Sequence, residues 1–378
     1  MNDVTKRVGV ALFTVALCTA CVTAPKQSQK QAQPPAVASW ETSLDVGHGL
    51  VGKIWSSDTQ RYVKSDQLLD AVAAHDLVLI GERHDHPDHH RLQALILQRV
   101  GDSALVGFEM LDENDAPKIS AGMTADEIAQ ASDWSNSGWP RFEIYRPIFD
   151  VVERRKMTPL AIHPSRNRLM GRARQPQKFA EENANYLAKL PQHGVANLRV
   201  DIDRGHCGNA AGAMIDMMVA AQIYKDHWMA SQMMAAEERR VAEGTSPLRS
   251  VIIAGNGHVR RDYGLPNHLP RQALSIGLIE VQSEQLSPAD YDLGRFDYVW
   301  FTPRLDDEDP CEKYKKALEK MKEKYRKMRL KERDVSMGGA SPTGGEKCQG
   351  VASKKSMMSG YKPPSVERGM LCSEPETP

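Results

Sequence analysis

The sequence predicts an α/β fold: a mainly parallel β-sheet flanked by helices, with an inserted smaller helical subdomain. Three observations carry that expectation. Short, near-continuous apolar runs such as "DLVLIGE" (76–82) and "SVIIAGNG" (250–257) suit strands covered on both faces. Helical patterns separate most of these runs, in the order expected of an open parallel sheet. Two helical stretches, 113–155 and 176–240, are too long to be simple crossovers and supply the inserted helices.

The chain has 378 residues, enough for one large domain or two modest ones. Its 49 Lys and Arg balance 49 Asp and Glu, so net charge directs it to neither nucleic acid nor an acidic partner. At the N-terminus Lys6 and Arg7 precede the apolar run "VGVALFTVAL", and "LCTAC" follows. That is the layout of an export signal, expected over residues 1–20. Ala20 before Cys21 resembles a bacterial lipobox, in which the cysteine is lipidated, although Cys18 stands where Leu is usual. Ordinary signal cleavage near Ala20 is the alternative. Val22 follows in place of the Asp that marks inner-membrane retention, so the resemblance implies an outer-membrane anchor facing the periplasm. Residues 21–40, rich in Gln, Pro, Ser and Ala, have little to bury and suit a membrane tether.

The globular part is expected over 41–303, with strands at 76–82, 103–110, 158–164, 250–257, 273–281 and 297–301. Between the third and fourth, Met214, Met217, Met218, Met229, Met233 and Met234 recur at mostly helical spacing. Methionine fills irregular gaps, so this helix is expected to be core and not a cofactor box.

Ligands of open α/β sheets bind beyond the carboxyl ends of the strands. The first strand ends in Gly81, Glu82, Arg83 and His84, the second carries Glu109, the third His163 and then Arg166, and the fourth ends in Gly255, Asn256, Gly257 and His258. Carboxylates, imidazoles and guanidinium groups therefore converge on one rim. His86, His89 and His90 fall on or beside the following helix, where at most one can face that rim.

Paired Gly-x-x-His motifs at strand ends, GERH and GNGH, together with "GFEML", "GWPRFEIYRPIFD", "HC" at 206–207, "AAQIYKDHWMA" and "IIAGNGHVRRDYGLP", resemble the ChaN-like branch of the Tiki superfamily. The resemblance spans roughly 75–303 and departs at His163, where the family pattern has Asn. It implies haem binding at the outer membrane in iron uptake, two haems stacked in a homodimer, and an outer-membrane haem receptor as partner. It also implies a tyrosine ligand to the haem iron, which on this sequence is Tyr145. Glu82, His84, Glu109 and His258 would line the haem site, Trp139, Phe142 and Phe149 would wall it, and Arg83, Arg166 and His258 are the candidate cations for propionates. The alternative is a hydrolase using Glu82, His84, Glu109 and His258, either through a divalent metal or with histidine as general base.

Beyond the domain, residues 304–333 carry a basic amphipathic pattern with Tyr314, Leu318, Met321, Tyr325 and Met328 on one seam. Residues 334–378, rich in Gly, Ser, Pro and Lys, are expected to be disordered. An exported compartment permits disulfides among Cys207, Cys311, Cys348 and Cys372, and spacing alone leaves the pairing open.

Overall fold

The computed structural model describes residues 39–173, 176–210, 212–244 and 249–337. Cys21, the signal segment, Cys348 and Cys372 lie outside the described residues. The chain divides into two units, Met1–Glu323 and Lys324–Pro378, and the sheet and the candidate site described below belong to the first.

Among the described residues eight strands form one sheet: β1 (Ile54–Ser56), β2 (Arg61–Val63), β3 (Leu77–Ile80), β4 (Leu105–Asp112), β5 (Thr158–His163), β6 (Ser250–Ile253), β7 (Leu274–Glu280) and β8 (Tyr298–Thr302). Their spatial order is β2-β1-β8-β7-β3-β6-β4-β5. From β8 to β5 every pairing is parallel; the β1–β2 hairpin is antiparallel and adds to β8 along the same sheet. The six expected strands are present, and the hairpin is an addition that the apolar pattern does not announce. Its strands are three residues each, and β2 is largely exposed.

Among the described residues there are twelve α-helices: α1 (Ser65–Ala74), α2 (Pro87–Val100), α3 (Ala125–Ala131), α4 (Trp134–Ser137), α5 (Phe142–Arg154), α6 (Arg166–Ala173), α7 (Pro176–Leu187), α8 (Gly194–Gly205), α9 (Gly212–Ala242), α10 (Asn256–Val259), α11 (Pro310–Lys313) and α12 (Lys315–Met337). Their ends follow local chemistry. Pro87 opens α2, where a missing N–H costs nothing, and Gly101 closes it at φ +108°. Thr124 and Glu127 form a reciprocal capping box on α3.

Alternation in β3 shows how the layers are built. Val78 and Ile80 point to the face packed by Leu68 and Val72 of α1, Ile96 and Leu97 of α2, and Ile148 and Phe149 of α5. Leu77 and Leu79 point to the other face, with Met229, Met233 and Ala236 of α9. All four β3 side chains are buried, each stabilising the fold by about 1.5–3 kcal/mol. The inserted helices have a small core of their own, where Leu190, Leu198, Val219 and Ile223 meet Tyr263. Met214, Met229 and Met233 are buried core residues.

Cys207, just after α8, is disulfide-bonded to Cys311 in α11, closing a loop of 104 residues. Among the described residues no helix is long and apolar enough to cross a membrane.

Candidate functional site

The sheet brings the strand ends together because β3, β6, β4 and β5 are parallel neighbours. Glu82 follows β3 and is buried. One carboxylate oxygen accepts a hydrogen bond from His84 Nδ1 at 2.7 Å, and the other ion-pairs with His90 Nδ1 at 2.8 Å. Burial alone would raise its pKa, yet the two imidazoles hold it down at about 2.

Glu109, on β4, makes the next link. Its Oε2 accepts the backbone N–H of Gly255 at 2.8 Å and lies 3.8 Å from His84 Nε2. Its Oε1 is 3.1 Å from Nε2 of His258, whose Nδ1 is 2.5 Å from Asp226 of α9. With carboxylates at both nitrogens His258 is an imidazolium: burial opposes the charge, but Glu109 and Asp226 push the pKa up to about 9. The result is an alternating run, Asp226–His258–Glu109–His84–Glu82–His90, of three carboxylates and three imidazoles.

Two glycines make this approach possible. A Cβ on Gly255 would lie 2.9 Å from His84 Nε2, so only a bare backbone admits that ring. A Cβ on Gly81 would fall 2.2 Å from Asn256 Oδ1. Asn256 itself ties the turn after β6 to its neighbours: its N–H donates to the Glu82 carbonyl and its amide to the Leu278 carbonyl.

Of the sequence-predicted site residues, Glu82, His84, Glu109 and His258 are brought together. Arg83 is not one of the group. Its side chain goes the other way, to Glu280 at 2.8 Å, Asp85 at 2.8 Å and Asp306 at 3.0 Å. With three carboxylates on one guanidinium it offers no unpaired charge to a propionate. His258 offers none either, being buried between its two carboxylates.

Tyr145 sits on the buried face of α5 with Phe142 and Phe149, at 0% exposure. Its hydroxyl donates to the His84 carbonyl at 2.9 Å, and its ring lies against those of His90 and Trp134. Burial, then Glu82 and Glu109, push the phenol pKa well above its ordinary value.

Of the three further histidines, His86 and His89 stack on each other with ring centroids 4.0 Å apart. His89 accepts the Arg83 N–H and contacts Thr302 Oγ1, while His86 contacts the Pro303 carbonyl; both have pKa values lowered, first by burial. His90 alone faces the site.

Beside this network the ends of β4 and β5 open into a cavity of about 520 Å³. Met110, Trp139, Leu169, His163, Arg166 and Glu109 are among its walls. Its size falls in the range of small-molecule and cofactor sites. Trp139 is half-buried and meets the edge of His84 at 4.8 Å. Arg166 is exposed at the start of α6, with no ion-pair partner among the described residues. His163 ends β5 with a half-buried ring, and burial lowers its pKa to about 4, keeping it neutral.

The family model described as "Haem-binding uptake, Tiki superfamily, ChaN" matches residues 68–269, more than half of the chain. The chain belongs to this ChaN-like haem-binding family. Among solved structures, "Cofacial heme binding to ChaN of Campylobacter jejuni" is similar at 20% identity and a TM-score of 0.49, covering 65% of this chain and 95% of that one. "The structure of the type III effector HopBA1" is similar at 12% identity and a TM-score of 0.33, covering 63% and 92%. Among curated proteins none matches the chain.

The cavity of this ChaN-like chain meets the needs of the group its family binds only in part. A porphyrin needs flat apolar walls, a cation for its carboxylates and a donor for its iron. Trp139, Met110 and Leu169 offer an apolar wall and Arg166 a cation, while Glu109, Asp112, Asn114, Asp115, Ser132 and Ser137 make the rest of the lining polar, with three carboxylates among them. Sequence reasoning missed Asp226 and assigned His90 no role. Both lie on helices, where spacing marks a face without naming its neighbour.

Proposed function

We propose that the protein is an outer-membrane lipoprotein, anchored through Cys21, that holds haem in the cavity at the ends of β4 and β5 and takes part in haem and iron uptake. One observation carries the reading. In a chain of a haem-binding family, the strand-end cavity combines an aromatic wall with an unpaired guanidinium. Arg166 would hold a propionate and Trp139 would stack beside the ring. The buried carboxylate–imidazole run would fix His84 and Trp139 as a rigid wall. Tyr145, the ligand the resemblance implies, would reach the iron only by giving up its bond to the His84 carbonyl. Haem uptake would pair two copies with their haems face to face, and an outer-membrane haem receptor is the fitting partner.

The direct test is titration of the purified full chain with hemin. A saturable shift of the Soret band is the expected result, and a spectrum equal to free hemin at every ratio overturns the reading. Light scattering should show the mass doubling as haem is added. Cys21→Ser should move the protein from the membrane fraction to the soluble periplasm; unchanged fractionation would refute the anchor.

A second reading, hydrolysis, is favoured by the perturbed run from Asp226 to His90, since such clusters are frequent in catalytic sites. The His84 imidazole, partly exposed at its end, would serve as the general base. A divalent metal there would have to displace the carboxylates that occupy both nitrogens of His258. Bound zinc or manganese with no affinity for haem would favour this reading.

A further inference from the structure

We propose that α12 is a docking helix for an anionic phospholipid surface, which it meets through a row of lysines on its solvent side. The inference goes beyond the haem reading and stands whichever ligand the cavity takes.

Charge and its placement come first. α12 carries ten basic and four acidic residues, in a chain whose net charge is zero. The root of the helix is fixed to the domain. Cys311, in α11 just ahead of it, is bonded to Cys207, and Lys313 pairs with Asp306 at 3.0 Å, the carboxylate that also takes Arg83. In the first turns Leu318 is buried. Lys316 and Lys320 stand two residues to either side of it, and two helical residues are more than half a turn apart. Both lysines therefore lie opposite Leu318; both are exposed and make no ion pair among the described residues. The spacing continues in the sequence, where positions 324, 327 and 331 are lysine as well. Glu319 and Glu323 fall outside this row.

The form of the row points to its partner. From position 316 to 331 the helix rises roughly 22 Å, so the charges make a straight line. A line meets a plane at every point at once, whereas a folded acidic protein would have to mirror its spacing. The row holds lysines only, and the arginines of the helix fall elsewhere, at 326, 329 and 333. Lysine is a hydrated point charge without arginine's rigid fork, suited to mobile headgroups more than to one anion in a set place. Near an anionic bilayer each such residue strengthens attachment by roughly fivefold. A helix with a basic polar side and low overall hydrophobicity lies on a membrane and does not cross it.

The experiment mixes the full chain carrying Cys21→Ser, so that no lipid anchor contributes, with two kinds of vesicle. One is phosphatidylcholine alone and the other contains phosphatidylglycerol; binding is read by co-sedimentation. The chain should pellet with the anionic vesicles, stay in solution with the neutral ones, and be released by about 0.5 M salt. Lys316→Gln, Lys320→Gln and Lys324→Gln together should weaken partition roughly a hundredfold. The same three positions changed to Arg should bind like the parent, because the charge is kept. If circular dichroism shows the triple Gln variant unfolded, Lys316→Gln alone replaces it, with a loss of roughly fivefold. Equal binding to both kinds of vesicle overturns the proposal, and so does a folded Gln variant that binds as the parent does. Complete displacement by soluble polyglutamate at matched charge overturns it too, since the row would then take acidic chains and not a lipid surface. No hemin is present, so each result leaves the haem reading as it stands.

Discussion

The hydroxyl of Tyr145 and the backbone carbonyl of His84 are joined by a 2.9 Å hydrogen bond across 61 residues of sequence. The bond ties α5 to the turn after β3 and sets how far His84 can swing. Tyr145→Phe keeps the ring packed on His90 and Trp134 and removes only this donor. The His84 carbonyl retains His90 Nε2 at 3.0 Å, so the acceptor is not orphaned. The expected loss is about 1 kcal/mol, measured from urea unfolding midpoints. A loss several times larger would mean that the longer contact of the hydroxyl with Glu82 Oε1, at 3.5 Å, is the stronger of its two bonds.

Gly255→Ala should be much more harmful than its size suggests. The new methyl would sit 2.9 Å from His84 Nε2 and 3.6 Å from Glu109 Oε2, between two members of the buried run. The ring must move or the backbone must shift, at a cost of about 1–3 kcal/mol. Nuclear magnetic resonance of the His84 ring should show its pKa, raised in the native protein by Glu109 and Glu82 despite burial, moving back toward the ordinary value. An unchanged titration would show that the close approach is not what holds His84 in place.

The Cys207–Cys311 bond closes 104 residues, a loop whose closure stabilises by about 4–5 kcal/mol in the chain-entropy account. The double variant Cys207→Ser, Cys311→Ser should therefore unfold at clearly lower urea concentration. A reducing agent should lower the midpoint of wild type and leave that of the variant alone. If the reducing agent affects both equally, some other pair carries the stabilisation.

What was legible in the sequence follows from how each part is built. Central parallel strands are buried on both faces, so β3 and β6 stand out as apolar runs, and whatever follows them must lie at the sheet's carboxyl edge. Glu82, His84, Glu109 and His258 could be grouped on that ground alone. The direction of Arg83 was not legible: it reads as a propionate cation, and no sequence pattern marks Glu280 and Asp306, far along the chain, as the carboxylates that take its guanidinium instead. Tyr145 shares a helical face with Phe142 and Phe149, a spacing that already favours burial. Asp226 was not legible, because nothing in α9 distinguishes the carboxylate that meets His258 from those in solvent. The β1–β2 hairpin is too short to leave a periodic signal.

Stability should peak near pH 6.5 and fall on both sides for different reasons. His258 is raised from 6.5 to about 9, so its contribution is complete below 6.5 and is lost as pH climbs through 9. The shift corresponds to stabilisation on the order of 3 kcal/mol, shared with the carboxylates that cause it. On the acid side His163 and His268 are lowered to about 4 and about 3 by burial, and folding keeps them neutral. The unfolded chain takes up those protons first, so stability falls as pH drops below 6.5. Glu82, held at about 2, adds to the acid loss only once pH falls below the 4.5 of an ordinary glutamate. Unfolding midpoints measured from pH 3 to 10 should trace this peak. His258→Gln should lower it and flatten the alkaline limb, while His268→Gln should soften the acid limb and leave the alkaline one intact. An alkaline limb that survives His258→Gln unchanged would mean that this imidazole does not carry its charge between Glu109 and Asp226.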